Sequence, residues 1–219
     1  MPIRRYDNLG KVNTILNVIF TGNEIFLENV LSSTSNQGYF NLLINDFVYM
    51  NAIATSSTAM NAIAASSTAM NAIVKSQTAR QSIASSSYLS SVSNTMYNTC
   101  DNDSDKFQKY IVSVAISAST PTRYWTSTSG VTTTQPDPDD NIVFVDQVVD
   151  GTAYSNTVYL YHLDSPTVVA YRVDLPSTQQ PETVNISPYD VLFGGIKAED
   201  YTKQGSANKT VYFYGFKAL

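Results

Sequence analysis

Residues 50 to 89 read MNAIATSSTA, MNAIAASSTA, MNAIVKSQTA and RQSIASSSYL, which are four successive copies of a ten-residue pattern. Large apolar side chains recur at intervals of three and then seven residues, the spacing of one face of a helix. They are Met50, Ile53, Met60, Ile63, Met70 and Ile73. The other positions are mostly Ala, Ser, Thr and Asn, so a narrow stripe carries most of the apolar bulk. The repeat predicts helix rather than strand.

The stripe also suggests self-association. With Ser57 and Ser67 included, the steps run three, four, three, which is a heptad with a three-residue insertion, a stammer, in each copy and predicts an overwound left-handed supercoil. An isolated helix of this kind buries little apolar area and is marginal in water. We therefore expect a long helix whose Met and Ile stripe forms the shared core of a homo-oligomer, most simply a coiled-coil trimer. A helix packed on the chain's own C-terminal domain and a flexible Ala/Ser linker are the alternatives.

The segment before the repeat contains short apolar runs separated by Thr21-Gly22-Asn23, the punctuation of a turn between two elements. A further run, YFNLLINDFVYM, leads into the first repeat and predicts the start of the long helix, with Ser35 or Asn36 as its cap. The segment is too small for a comfortable core of its own, and we expect it to order against a partner. The apolar residues predicted to dock are Ile15, Val18, Ile19 and Phe20.

After the repeat the pattern changes to alternation. Residues 110 to 116 alternate with period two, and similar runs follow to the end of the chain, which predicts strands. Asp150-Gly151 between two such runs predicts a hairpin. The fold expected is α+β in three parts: a docking segment at 1–41, a helical stalk at 42–100, and an antiparallel β-sandwich of about six to eight strands at 106–219.

The sequence contains little evidence of a catalytic or metal-binding motif. The one histidine, His162, lies inside an alternating run, and no serine occupies a GxSxG elbow. Asp101, Asp103 and Asp105 have the spacing of the first ligands of a calcium loop, but Lys106 stands where that loop needs glycine. An acidic connector is the simpler interpretation. We expect no enzymatic activity, no cofactor and no metal site.

Composition excludes several partners. The net charge of −5 argues against nucleic acid, whose binding surfaces concentrate Lys and Arg. No apolar run reaches the length of a membrane span, and the N-terminus lacks the apolar core of a signal peptide, so a soluble protein is expected. The lone Cys100 cannot form an internal disulfide, which fits folding in a reducing cytoplasm.

Aromatic residues are the remaining indication of binding. The chain has 15 Tyr and one Trp, and Tyr offers a large amphipathic contact surface at low entropic cost. Tyr124 and Trp125 are flanked by Ser and Thr, and Tyr201 precedes a Gly205-Ser206 turn. These three aromatic residues are the predicted ligand contacts.

The tandem copies MNAIATSSTA and MNAIAASSTA resemble Ala/Ser/Met decapeptide repeats of tailed-bacteriophage structural proteins, especially fibre and fibre-attachment proteins. The likeness covers residues 50 to 89 and is one of composition, so no functional residue is carried over. It implies a particle-docking N-terminus, a helical stalk that is usually trimeric, and a distal β-domain that contacts a host or another virion protein.

On this resemblance we expect a short oligomeric fibre or adaptor of the virion, assembled in the host cytoplasm and bound to other virion proteins. A host receptor-binding tail-fibre module, recognising surface saccharide or protein, is one alternative. A capsid decoration protein, or head fibre, is a second, and a polysaccharide depolymerase is a third. Location at the head, tail or baseplate stays open.

Overall fold

The chain forms two compact units. The computed structural model describes residues 3–151, 156–165, 167–175, 182–200 and 208–219. One unit, here called the helical unit, comprises Met1–Phe107 with Ala218–Leu219, and the other, the β unit, comprises Gln108–Lys217. The α+β class is confirmed. Within the described residues, the helices are too short or too polar to span a bilayer.

The described part of the helical unit contains eight helices. They are α1 (Ile3–Thr21), α2 (Glu24–Leu31), α3 (Thr34–Ile44), α4 (Phe47–Ala54), α5 (Ser57–Ala64), α6 (Ser67–Lys75), α7 (Gln77–Ala84) and α8 (Leu89–Asp101). The predicted turn at Thr21-Gly22-Asn23 is confirmed. Gly22 adopts a φ of 72°, which a side chain rarely tolerates, and the Asn23 side chain caps α2 by accepting from the N–H of Phe26.

The predicted long helix is wrong, because each decapeptide forms its own short helix. Ser56, Ser66 and Ser76 have extended backbones, and each Oγ accepts a hydrogen bond at 3.2 Å from the N–H three residues later. Each of these serines also donates its own N–H to the isoleucine carbonyl three residues earlier. The serine therefore ends one helix and caps the next.

The ten-residue spacing of the caps begins at Asp46, one position before the first residue of α4. Asp46 caps α4 by accepting from the N–H groups of Val48 and Tyr49, so the caps fall at residues 46, 56, 66 and 76. The predicted start at Ser35 or Asn36 is also wrong. There α3 begins at Thr34, and it ends at Ile44 rather than continuing into the repeat.

The Met and Ile stripe lies in the core of the helical unit. α5 contacts α1, α2, α4, α6 and α8, and α6 contacts α2, α3, α7 and α8. All six residues predicted to form an oligomer core are fully buried within the single chain: Met50, Ile53, Met60, Ile63, Met70 and Ile73. That assignment is corrected. The stripe has an internal partner because the N-terminal helices, expected to be a separate docking segment, pack against it.

The β unit contains two sheets. Its strands are β1 (Phe107–Ile116), β2 (Thr122–Thr126), β3 (Gly130–Thr132), β4 (Asn141–Asp150), β5 (Asn156–His162), β6 (Tyr171–Leu175), β7 (Glu182–Phe193), β8 (Ile196–Asp200) and β9 (Lys209–Ala218). The first sheet has the order β1-β9-β4-β7 and the second β3-β2-β8-β5-β6. β4 is antiparallel to both β7 and β9, and a bulge between Val145 and Gln147 shifts both registers.

One apolar cluster contains side chains from both sheets, including Val143, Leu160 and Phe213. Trp125 lies in it, with ring contacts to Tyr110 and Phe213. Gly215 makes room for this indole, because a Cβ at position 215 would lie 2.2 Å from a ring carbon of Trp125.

The hairpin expected at Asp150-Gly151 does not form. β4 belongs to the four-stranded sheet and β5 to the five-stranded sheet, so this segment connects two sheets instead of two paired strands.

Candidate functional sites

The residues predicted to dock on a partner are mostly core residues. Ile15, Val18 and Ile19 on α1 are buried, whereas Phe20 is 41% exposed. The difference follows from the position of each residue around the helix. One face of α1 packs against α2, α3 and α5, and the opposite face is exposed. The assignment of Ile15, Val18 and Ile19 is corrected, and Phe20 remains available to a partner.

Large exposed apolar side chains flank two turns between N-terminal helices. At the α1–α2 turn they are Phe20, Ile25 and Phe26, and at the α3–α4 turn they are Leu42, Phe47 and Val48. We call these six residues the apolar turn residues. Ile25 and Val48 are 78% and 74% exposed. Each of the two turns therefore carries three large exposed apolar side chains, whereas exposed apolar residues that need no partner are usually scattered singly.

A polar junction joins α2 to the start of α6. The Glu28 carboxylate accepts hydrogen bonds from the Ser66 hydroxyl, from the Thr68 hydroxyl at 2.6 Å and from the Thr68 N–H at 3.2 Å. Burial alone would raise the pKa of Glu28, but these hydrogen bonds outweigh it and the pKa is lowered. Lys106 Nζ lies 3.8 Å from the same carboxylate. The junction therefore holds α2 on the repeat and is a structural site.

A cavity of about 370 Å³ lies beside this junction in the helical unit. Its wall is rich in amides and hydroxyls, and its lining residues are Gln37, Phe40, Asn41, Ile44, Asn45, Thr68, Asn71, Ala72, Lys75 and Ser76. Several of these groups already serve the fold: Ser76 Oγ donates to Asn45 Oδ1 at 2.8 Å, and Asn71 donates to the Lys106 carbonyl at 2.7 Å. Lys75 donates to the Leu219 carbonyl.

The predicted aromatic ligand contacts are only partly available. Trp125 is buried in the core of the β unit, so its assignment as a contact residue is corrected. Tyr124 precedes it on β2 and is half-buried. Tyr201 lies outside the described residues. Sequence reasoning treated 124 and 125 as loop residues and missed β2, whose pairing with β8 turns successive side chains to opposite faces.

His162 and Asp190 are among the titratable groups of the β unit whose pKa values are strongly shifted. Burial lowers the pKa of His162 to about 4, its Nδ1 accepts the N–H of Phe193 at 3.1 Å, and its ring stacks on that of Phe193. Burial raises the pKa of Asp190 to about 6. His162 is thus a neutral hydrogen-bond acceptor in the fold, and it is the last residue of β5, within the run that predicted a strand.

In the acidic run at residues 101–105, the central residue Asp103 makes structural hydrogen bonds with Lys106. Asp103 accepts from the Lys106 N–H at 3.2 Å and from Lys106 Nζ at 2.7 Å. Burial alone would raise the pKa of Asp103. The hydrogen bonds from Lys106 and Ser67 outweigh burial, and the pKa is lowered. In the part of the chain that the structure describes, no group of three or more His, Cys, Asp or Glu side chains is placed to hold a metal ion.

No protein-family model matches this chain, and no curated protein does either. Among solved structures, the Drosophila NLP core, whose study concerns pentamer formation and histone binding, is 14% identical. It covers 49% of this chain and 99% of its own, with a TM-score of 0.34. A virus-like particle of the giant freshwater prawn (Macrobrachium rosenbergii) extra small virus is 9% identical and covers 52% of this chain and 80% of its own. Its TM-score is 0.27. Neither likeness is close enough to carry an argument.

Proposed function

We propose that the protein is a structural, non-enzymatic component of a tailed-phage virion, a short adaptor that docks through its helical unit and presents its β unit. The observation that carries this proposal is the exposure of the apolar turn residues. The decapeptide repeat, through its resemblance to repeats of phage structural proteins, supplies the biological setting. Its role changes, however, from a stalk to the core of the docking unit.

The apolar turn residues fit a protein partner better than solvent. Ile25 and Val48 are more than 70% exposed, and neither side chain carries a polar atom. Covering side chains of this size contributes roughly 1.5–3 kcal/mol each. The partner we propose is another virion protein with an apolar, uncharged contact surface, since the six side chains themselves carry no charge.

Self-association is a separate part of the proposal. The homotrimer was predicted from an unpartnered stripe, and the stripe is buried within one chain. A homo-oligomer would therefore use the apolar turn residues or the β unit, while the Met and Ile stripe stays inside each subunit. A solution mass measured by light scattering, on the wild type and on an Ile25→Ser and Val48→Ser double variant, separates these arrangements.

We infer that the β unit is a β-sandwich, since one apolar cluster draws on strands of both sheets. In the proposed adaptor this unit is the outward-facing module. Host-surface saccharide or protein stays a proposed ligand class for it. With Trp125 buried, Tyr124 is the predicted contact that remains on the described surface.

The test is reconstitution of particles assembled without this chain. Purified Ile25→Ser and Val48→Ser double variant should fail to co-sediment with the particles, while circular dichroism shows an unchanged fold. Ile111→Ser is the matched control, because Ile111 on β1 is 80% exposed but belongs to the β unit. Wild-type binding by the double variant, or loss of binding by the Ile111 variant, would contradict the proposed docking surface.

A further inference from the structure

Three charged residues are buried together at one end of the β unit. Asp150 is the last residue of β4, Asp200 the last of β8 and Lys209 the first of β9. Their exposed fractions are 1%, 2% and 0%, respectively. Asp150 is the register partner of Lys209 in the β4–β9 pair, so their side chains lie on the same face of the sheet as direct cross-strand neighbours.

The Lys209 amine makes an unusual contact. Its Nζ lies 2.5 Å from Asp200 Oδ2, yet this contact does not have hydrogen-bond geometry, and Nζ makes no hydrogen bond to any described residue. A buried ion pair recovers the cost of desolvation only when hydrogen bonds complete it. Within the described residues, no hydrogen bond completes the Lys209 side of this buried pair.

We propose that Lys209 and Asp200 react to form an intramolecular amide cross-link, with Asp150 as the proton carrier. In the proposed reaction one proton first passes from the Lys209 ammonium to the Asp200 carboxylate. The lone pair of Nζ then attacks Cγ of Asp200, and the new N–C bond gives a tetrahedral centre. Asp150 accepts a proton from Nζ and delivers it to the Asp200 hydroxyl, whose C–O bond breaks. Amine and acid thus become amide and water, and no oxidant, reductant or co-reactant is consumed.

The arrangement supplies what this condensation needs. The fold holds amine and carboxyl in contact, which replaces a bimolecular encounter by a reaction within one molecule. Asp150, the cross-strand register partner of Lys209, is the acid proposed to carry the proton. Burial excludes water, which protects the amide from hydrolysis.

The product would join the two sheets covalently. Asp200 ends a strand of the five-stranded sheet, and Lys209 begins a strand of the four-stranded sheet. The amide would close a covalent ring from residue 200 to residue 209 and limit the separation of the sheets in the unfolded chain, which raises resistance to heat and denaturant. This inference concerns the β unit alone and does not depend on the proposed function.

Mass spectrometry of the purified full-length chain tests the cross-link. We expect an intact mass one water below that of the sequence. Trypsin cannot cleave after an acylated lysine, so residues 198–203 should remain attached to an uncleaved peptide of residues 204–217. A folded protein with the full sequence mass, cleaved normally after Lys209, would overturn the proposal.

Variants separate the roles of the three residues. Lys209→Met should abolish the loss of water, and Asp200→Asn should replace it by loss of ammonia. Asp150→Asn should leave the full mass with an unchanged circular dichroism spectrum, and Asp150→Glu should restore the reaction. Lys197→Met is the control, because Lys197 pairs with Glu199 at 3.0 Å outside this cluster, and it should keep the cross-link. Full loss of water in Asp150→Asn would remove Asp150 from the mechanism.

Discussion

The Glu28 carboxylate on α2 accepts the hydroxyl hydrogen bond of Ser66, the residue that caps α6. One serine thus ends a helix, starts the next and anchors the repeat to an N-terminal helix. The same position in the first copy, Ser56, caps α5, with no carboxylate bonded to it among the described residues. The two serines form a natural pair for measuring what the anchor contributes.

Ser56→Ala should lower the free energy of unfolding by about 1 kcal/mol, the usual loss for a helix cap. Ser66→Ala should lower it by about 1 kcal/mol more, because it also leaves the partly buried Glu28 carboxylate short of a donor. Urea denaturation monitored by circular dichroism measures both. Equal losses in the two variants would show that the Glu28 contact contributes no stability.

Ile63→Ala should lower the free energy of unfolding by roughly 2–5 kcal/mol, because it opens a cavity where Ile63 is fully buried. Ile25→Ala is the matched control on an exposed site and should stay within about 0.5 kcal/mol of wild type. The measurement should be made at several protein concentrations. A loss in Ile63→Ala that depends on concentration would point back to an oligomeric core.

Asp190→Asn should stabilise the protein at neutral pH. Burial raises the folded-state pKa of Asp190 to about 6 from 3.8, so the acid form is favoured on folding. Its contribution is complete below pH 3.8 and is lost as the pH rises through 6. The variant should therefore unfold at a higher temperature than wild type at pH 7.5, with the difference shrinking toward pH 4. A difference in melting temperature that stays constant between pH 4 and pH 7.5 would contradict a raised pKa of Asp190.

His162→Gln should flatten the acid side of the stability profile. Burial lowers the folded-state pKa of His162 to about 4 from 6.5, so between these values the unfolded chain binds a proton that the folded chain does not. Wild type therefore loses stability as the pH falls from 6.5 to 4. Gln keeps an acceptor for the Phe193 N–H but does not titrate. An unchanged slope in the variant would mean that His162 does not cause this loss.

The helical character of the repeat and the strands after it were predictable, because each rests on local periodicity. Residues 110 to 116 and 209 to 216 lie within β1 and β9, as their alternation indicated. β2 and β3 were missed because they are only five and three residues long and their apolar residues do not alternate. The later runs TVNIS (183–187) and DVLFGGI (190–196) predict two separate strands, but together they form most of β7 and only the start of β8.

The division of the repeat into short helices could have been inferred from the cap residues. The packing of these helices against the N-terminal helices could not. Asp46 and the serines at positions 56, 66 and 76 recur every ten residues, and Asp and Ser are favoured caps. The Met and Ile spacing is equally compatible with one long helix or several short ones. Burial of Met60 by other helices of the same chain is a long-range property, which no local pattern encodes.

Amide hydrogen exchange of the full chain tests the central claim most directly, namely that each decapeptide folds as its own capped helix inside a single chain. The account predicts strong protection of the Met60 and Ile63 amides, equal at low and high protein concentration, and fast exchange at Ser57 and Thr58 in the first turn of α5. Protection that runs unbroken from Ile53 to Met60 and appears only at high concentration would contradict it and restore the oligomeric stalk.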